Sequence, residues 1–195
     1  MALLLTSGTD ANTGDSQVEV PVTTRLVRLA SYFTIQSNLL VLATSLTLAL
    51  TPQRDGPVWR VLRLDALLGI TVTGLVYWTL LAPTVQLRGA ALATGLALHL
   101  VAPVGTLVVW WVFGPRPRIT ARTVAWGFVW PVAWIGGTLL HGALTGWYPY
   151  PFLDVTVVGY PRALAATAVV LALGLLVALV LRWVDRRRRP SPPRL

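Results

Sequence analysis

The sequence predicts an all-α protein, a polytopic bundle of transmembrane helices. Of its 195 residues, 55% are hydrophobic and only 12% are charged, whereas about 25% are charged in an ordinary soluble domain. Apolar segments long enough to cross about 30 Å of hydrocarbon, at 1.5 Å per residue, follow one another along the chain. The connections between them are short and rich in Pro, Gly and Arg, which break helices.

Five spans are visible. They cover residues 26–50, 58–82, 89–113, 123–144 and 161–183. Breaker residues fill the connections at 51–57, 114–118 and 145–152. We therefore assign residues 26–183 to one transmembrane bundle without a second domain.

The two ends of the chain differ from the bundle. Residues 1–25 form an N-terminal stub and a polar loop, and the apolar run at 1–5 lacks the basic region of a signal peptide. We interpret this run as the remainder of a sixth, truncated helix. Residues 184–195 form a basic tail, which we expect to be disordered and held near anionic lipid headgroups.

The charged residues predict the orientation. All sixteen basic residues are arginine, which is typical of a GC-rich bacterial genome. Twelve of them fall on the side of the C-terminus and four on the other, so the positive-inside rule places the C-terminus in the cytoplasm and the chain in the cytoplasmic membrane. Because the arginines flank apolar segments, the net charge of +9 does not indicate nucleic-acid binding.

Polar side chains interrupt the first span. Ser31, Thr34, Asn38 and Ser45 fall at spacings that place them on one helical face, and Ser37 lies nearby. Such groups are costly in hydrocarbon and usually face a bundle interior or a cavity. Hydrogen bonding between helices is the alternative explanation.

The two histidines also lie within spans. Pro103 follows His99 by four residues and removes a helical hydrogen bond to its carbonyl, so we expect a free carbonyl and a kink there. His141 lies near the outer end of its span. The alternative for His99 is a structural hydrogen bond to a neighbouring helix, and the alternative for His141 is a boundary histidine beside packing aromatic residues. Four rings in the connection after His141 are expected to anchor the membrane interface: Trp147, Tyr148, Tyr150 and Phe152.

Helix rise places Thr34 about 10 Å, His99 about 16 Å and His141 about 9 Å below the outer surface. The three side chains are therefore candidates for a shared cavity. A threonine hydroxyl needs an adjacent base to attack a carbonyl, and histidine is the natural choice. Asn38 or backbone N–H groups are candidates to stabilise the oxyanion, and Ser31 and Ser37 to line the pocket.

Metal and cofactor chemistry has weaker support. Two histidines can be axial haem ligands, but His99 and His141 fall at different depths and no third ligand accompanies them. The absence of cysteine excludes thiolate ligands and a thiol nucleophile. We predict no cofactor and no metal.

Three stretches carry a family resemblance. They read Tyr-Phe-Thr-Ile-Gln-Ser-Asn at 32–38, Leu-His-Leu-Val-Ala-Pro at 98–103 and His-Gly-Ala-Leu-Thr-Gly-Trp-Tyr-Pro-Tyr-Pro-Phe-Leu-Asp at 141–154. They resemble the family of androgen-induced protein and androgen-dependent TFPI-regulating protein, multi-pass membrane hydrolases of fatty acid esters of hydroxy fatty acids. The first and third stretches are still more similar to the sequences of actinobacterial membrane proteins distantly related to that family. Order and spacing match over about residues 26–183.

The resemblance implies specific roles. The family's nucleophilic threonine matches Thr34, its essential histidine matches His99, and its later histidine matches His141, for which we expect a pocket-lining role. The family is usually six-helical, which again suggests a truncated first helix.

The sequence thus predicts a multi-pass hydrolase of lipid-like esters whose partners are the bilayer and its lipids. The alternative is a non-enzymatic transporter or binding protein that uses the same polar cavity for a small molecule or lipid. The sequence indicates neither the oligomeric state nor the substrate.

Overall fold

The computed structural model describes residues 21–187, and every regular element among them is helical. A short helix α1, Val22–Ser31, precedes five helices that are long and apolar enough to cross a membrane. These are α2, Phe33–Leu50; α3, Pro57–Leu81; α4, Gly89–Phe113; α5, Ala121–Thr145; and α6, Val155–Arg187. Helix α6 is kinked at Gly159, whose backbone is not helical (φ 75°, ψ 156°). The predicted fold class and the five spans are confirmed. The proposed sixth helix lies outside the described residues.

Helix α3 forms the centre of the bundle. Within its most apolar stretch 72% of the residues are buried, against 22% or less in each of the other spans. It packs against α2, α4, α5 and α6. Gly74 permits the approach to α4, because a Cβ atom there would lie 3.2 Å from the His99 carbonyl oxygen. Small residues commonly allow such contacts between transmembrane helices.

The buried apolar side chains form two clusters, one at each end of the bundle. The basic end, where Arg54, Arg60 and Arg118 lie, is filled by aliphatic residues that include Leu64, Leu67, Ala178 and Leu181. The other end, which we call the aromatic end, is built around Tyr32, Tyr77, Leu81, Tyr150 and Leu153. Because lipid tails are as apolar as leucine, close packing rather than transfer from water holds such clusters together.

The first predicted span is wrong at its start. The sequence predicts a continuous helix over 26–50, but Tyr32 has extended backbone angles (φ −68°, ψ 127°) and separates α1 from α2. The break exposes helical carbonyls that need partners. The indole of Trp134 donates to the Ser31 carbonyl at 2.9 Å, and the amide of Gln36 donates to the Ala30 carbonyl at 3.0 Å. Side chains from elsewhere in the bundle therefore stabilise the break.

Helix α6 continues further than the sequence predicts. It extends to Arg187, so residues 184–187, which we expected in the disordered tail, are helical. Asp185 is buried there and accepts hydrogen bonds of 2.7 Å from the backbone N–H groups of Arg118 and Ile119. This carboxylate fixes the connection before α5. Residues 188–195 lie outside the described part of the chain.

Candidate active site

Thr34 and His99 meet inside the bundle. Their side chains come from α2 and α4, and Thr34 Oγ1 lies 3.4 Å from His99 Nε2. Thr34 is 3% exposed and His99 is 1% exposed. The predicted convergence of these two side chains is therefore confirmed.

The other ring nitrogen of His99 determines where its proton lies. Nδ1 is 2.9 Å from the carbonyl oxygen of Gly95, which can only accept a hydrogen bond. Nδ1 of the neutral ring therefore carries the hydrogen, and Nε2 carries a lone pair directed at Thr34. The threonine hydroxyl donates to that lone pair, as a nucleophile does to its general base.

His99 is fixed from the side of α3. Its ring stacks on Tyr77, with 3.8 Å between centroids and 14° between planes. The carbonyl that Pro103 was expected to leave free accepts a hydrogen bond of 3.0 Å from the indole of Trp78. The helix accommodates the proline with a π-helical turn over Ala97–Val101. π-helical turns are frequent at functional sites.

Thr34 differs from many threonines of the bundle because its hydroxyl does not bond within its own helix. The usual arrangement, donation to the carbonyl four residues earlier, occurs at Thr44, Thr47, Thr71, Thr79, Thr94 and Thr167. Thr34 lies in the first turn of α2, just after the break at Tyr32, and the carbonyl of Ala30 is bonded to Gln36. The hydroxyl proton is consequently available to His99.

Tyr150 completes the group, and the sequence analysis missed this role. Its hydroxyl lies 3.3 Å from Thr34 Oγ1 and accepts a hydrogen bond of 3.3 Å from the Thr34 backbone N–H. Tyr150 was expected to anchor the membrane interface, but it is 6% exposed and packs edge-on against Tyr32 and Trp134. A tyrosine hydroxyl beside a nucleophile is suited to donate to a developing oxyanion.

The connection that carries Tyr150 folds into the bundle for local reasons. Gly146 ends α5 with a left-handed backbone (φ 71°, ψ 5°), which reverses the chain at little steric cost. Tyr148 then lies against Gly142, where a Cβ atom would come within 2.0 Å of the tyrosine ring. In the sequence, the two glycines of Gly-Ala-Leu-Thr-Gly at 142–146 are the feature that indicates this inward turn.

An apolar cavity reaches Thr34. It lies between α3, α5 and α6, and the centre of a water molecule can occupy about 70 Å³ of it. Thr34 and Tyr150 are on its wall, whereas His99 is not among the lining residues. A ligand in the cavity would therefore contact Thr34 without contacting His99.

The remaining predicted site residues do not line this cavity. Asn38 donates its amide to the Thr34 carbonyl at 2.8 Å, and the fully buried Ser37 accepts from Thr73 at 3.4 Å. The Ser31 hydroxyl bonds to the Val27 carbonyl within α1. The assignment of Asn38 to the oxyanion is therefore not supported by its contacts. The buried polar face of α2 is Thr34, Ser37 and Thr44, rather than the predicted stripe through Asn38 and Ser45.

His141 lies in a separate groove. Serine, glutamine and tryptophan side chains line this groove, and the His141 ring lies 6.0 Å from the Trp147 ring in an edge-on arrangement. The expectation of one cavity shared by both histidines is wrong, because the break at Tyr32 and the aromatic side chains between α1 and α5 separate the two places. Among residues 21–187 no three His, Cys, Asp or Glu side chains are grouped to hold a metal ion.

The chain matches no protein-family model, no curated protein and no solved structure. The resemblance drawn from the three stretches of sequence therefore stays a prediction.

Proposed function

We propose that this protein is a membrane-embedded hydrolase of lipid-like esters, with Thr34 as nucleophile and His99 as general base. The observation that carries the proposal is the hydrogen bond from the Thr34 hydroxyl to a histidine whose other nitrogen is held by the Gly95 carbonyl. This arrangement fixes the tautomer that accepts a proton at Nε2. The apolar cavity favours a substrate dissolved in the bilayer.

The first half-reaction transfers the acyl group to Thr34. Oγ1 attacks the ester carbonyl while its proton moves to Nε2 of His99, and the carbonyl oxygen becomes an oxyanion beside the Tyr150 hydroxyl. The intermediate then loses the alkoxide, which takes the proton from Nε2. An acyl-threonine and a free alcohol result.

The second half-reaction restores the enzyme. His99 takes a proton from water, the resulting hydroxide attacks the acyl-threonine, and the released Thr34 oxygen recovers the proton from Nε2. In both halves the imidazolium is stabilised by the Gly95 carbonyl and by the face of the Tyr77 ring. The products are a carboxylic acid and the regenerated hydroxyl.

A fluorophosphonate probe tests the nucleophile directly, because it labels activated hydroxyl groups. We expect labelling of the detergent-solubilised wild type, loss in Thr34→Ala and His99→Ala, and partial recovery in Thr34→Ser. The matched control is Thr167→Ala, since Thr167 lies on the same cavity but bonds to the Ala163 carbonyl. Labelling that persists in folded Thr34→Ala would reject this nucleophile.

The alternative is a transporter or binding protein for a small molecule or lipid. It predicts saturable binding of an ester that survives in Thr34→Ala, without turnover in wild type. Absence of both labelling and turnover in well-folded wild type would favour it over the hydrolase.

We place the protein in the cytoplasmic membrane with its basic end in the cytoplasm, which the distribution of arginine supports. The chain has no cysteine, so single cysteines report topology without background. In intact cells, Gln86→Cys at the aromatic end should react with an impermeant maleimide and Gln53→Cys should not. Labelling of Gln53→Cys but not of Gln86→Cys would show that the protein has the opposite orientation.

A further inference from the structure

The cavity beside Thr34 is long and narrow. Thr34 lies level with Tyr77 of α3, since both contact His99. The lining continues along α3 to Leu68, nine residues away and therefore about 14 Å along the helix. The centre of a water molecule can occupy about 70 Å³ of the cavity, and this space, spread over that length, leaves a path about one methylene group wide.

The chemistry of the lining fits a hydrocarbon. Below Thr34 the walls are formed by side chains of α3, α5 and α6 such as Val72, Phe128, Val170 and Leu171. The Thr167 hydroxyl on this wall donates to a carbonyl of its own helix, so it offers no free hydrogen for a polar ligand. Apolar walls with one reactive hydroxyl near one end favour an unbranched chain with a polar head.

The cavity has a closed end and an open side. Beyond Gly174 the same helices form the packed aliphatic cluster of the basic end, with Ala178 and Leu181. The backbones of α5 and α6 make few close approaches to each other, so we take the space between these two helices as the open side. Both are membrane-spanning helices, so a ligand that enters between them arrives from the bilayer.

We infer that this cavity binds the hydrocarbon chain of an acyl group of about ten to twelve carbons, which enters between α5 and α6, passes Gly174 and ends near Leu68. The position of the ester at Thr34 rests on the proposed function. The length follows from about 14 Å of depth and an advance of about 1.2 Å per bond in an extended chain. Gly174 lies about halfway along this path, because a Cβ atom there would lie 3.8 Å from Phe128 and 4.0 Å from Val72, which is five residues and about 7.5 Å from Tyr77 along α3. A larger side chain at this position would therefore shorten the path.

The test measures hydrolysis of p-nitrophenyl esters from two to sixteen carbons by wild type, Gly174→Ala, Gly174→Val and Gly174→Leu. In wild type kcat/KM should rise up to about ten to twelve carbons and then fall. The chain length that gives the highest kcat/KM should decrease stepwise as the side chain at position 174 becomes larger. In Gly174→Leu we expect kcat/KM to fall at least tenfold for the decanoate and to change less than twofold for the acetate. Gly105→Leu is the matched control, since Gly105 is exposed on α4 with nothing within 4 Å of an added Cβ atom.

Cross-linking separates this inference from the proposed function. Decanoic acid with a terminal diazirine should label the bundle near Leu68 in wild type and in Thr34→Ala, and less in Gly174→Leu. Such labelling without ester turnover would support the cavity and reject the hydrolase. The inference would be overturned if Gly174→Leu lowered kcat/KM equally for esters of all chain lengths. It would also be overturned if the probe labelled another part of the protein.

Discussion

Tyr150 offers the sharpest test of the site, because its role follows from two contacts and not from the family resemblance. In Tyr150→Phe the ring remains while the hydroxyl disappears. The Thr34 N–H then loses its 3.3 Å acceptor, and a buried donor without a partner costs about 1–3 kcal/mol. We therefore expect a lower unfolding temperature but a folded protein.

The effect on catalysis has a separate origin. Removing one oxyanion donor typically lowers kcat by a factor of about 10² to 10³. The 3.3 Å distance between the two hydroxyls is long for an O–H···O bond, for which about 2.5–3.0 Å is usual. We therefore expect the lower figure, about a hundredfold in kcat, with KM nearly unchanged because the hydroxyl acts on the oxyanion rather than on the bound ester.

The assay is steady-state hydrolysis of a p-nitrophenyl ester in detergent, with Tyr160→Phe as control, since Tyr160 is 53% exposed on α6. A kcat within about threefold of wild type in folded Tyr150→Phe would refute the oxyanion role. A rise in KM at constant kcat would show that Tyr150 only shapes the cavity.

Three further predictions concern the framework around the site. Trp78→Phe removes the indole donor to a buried carbonyl and should lower the free energy of unfolding by about 1–3 kcal/mol, measured by chemical denaturation in detergent; no change would show that the carbonyl finds another donor. Gly142→Ala should displace the Tyr148 ring and abolish fluorophosphonate labelling, and full labelling would contradict the packing of this connection. Arg60 donates two 2.7 Å hydrogen bonds to Asp55 and holds the pKa of that carboxyl well below its usual range, so this pair stabilises the fold above the usual aspartate pKa and loses its effect as the pH falls. In Asp55→Asn the drop in unfolding temperature from about pH 6 to about pH 3 should be smaller than in wild type, and an equal drop would assign acid sensitivity to other groups.

The sequence predicts the spans well because membrane crossing depends on length and composition, both of which can be read locally. It also identifies Thr34 and His99, since a hydroxyl and an imidazole at similar depth are conspicuous in apolar helices. The contact between the two side chains is determined by the tertiary structure and cannot be read from local sequence. It depends on the approach of α3 and α4 at Gly74 and on the π-helical turn at His99.

The break at Tyr32 was not predictable from local signals. Neither proline nor glycine lies between Leu26 and Asn38, and the partners that stabilise it include the indole of Trp134, 103 positions from Ser31 along the chain. The role of Tyr150 was not predictable either, because its partner Thr34 is also distant along the chain. An aromatic ring after a membrane span is typical of an interface anchor, and it is the turn at Gly146 together with the packing of Tyr148 against Gly142 that directs the connection inward.

The helix break also determines whether the Thr34 hydroxyl can take the role proposed for it. If α1 and α2 were one continuous helix, the hydroxyl would have the Ala30 carbonyl within reach and would become one more internally bonded threonine. The proposed nucleophile therefore depends on an interruption of secondary structure and not on the residue alone. Loss of the Trp134 indole, which bonds to the Ser31 carbonyl, is a change that would favour fusion of the two helices. Thr34 and His99 would then remain in the sequence, but the threonine hydroxyl would no longer donate to the histidine.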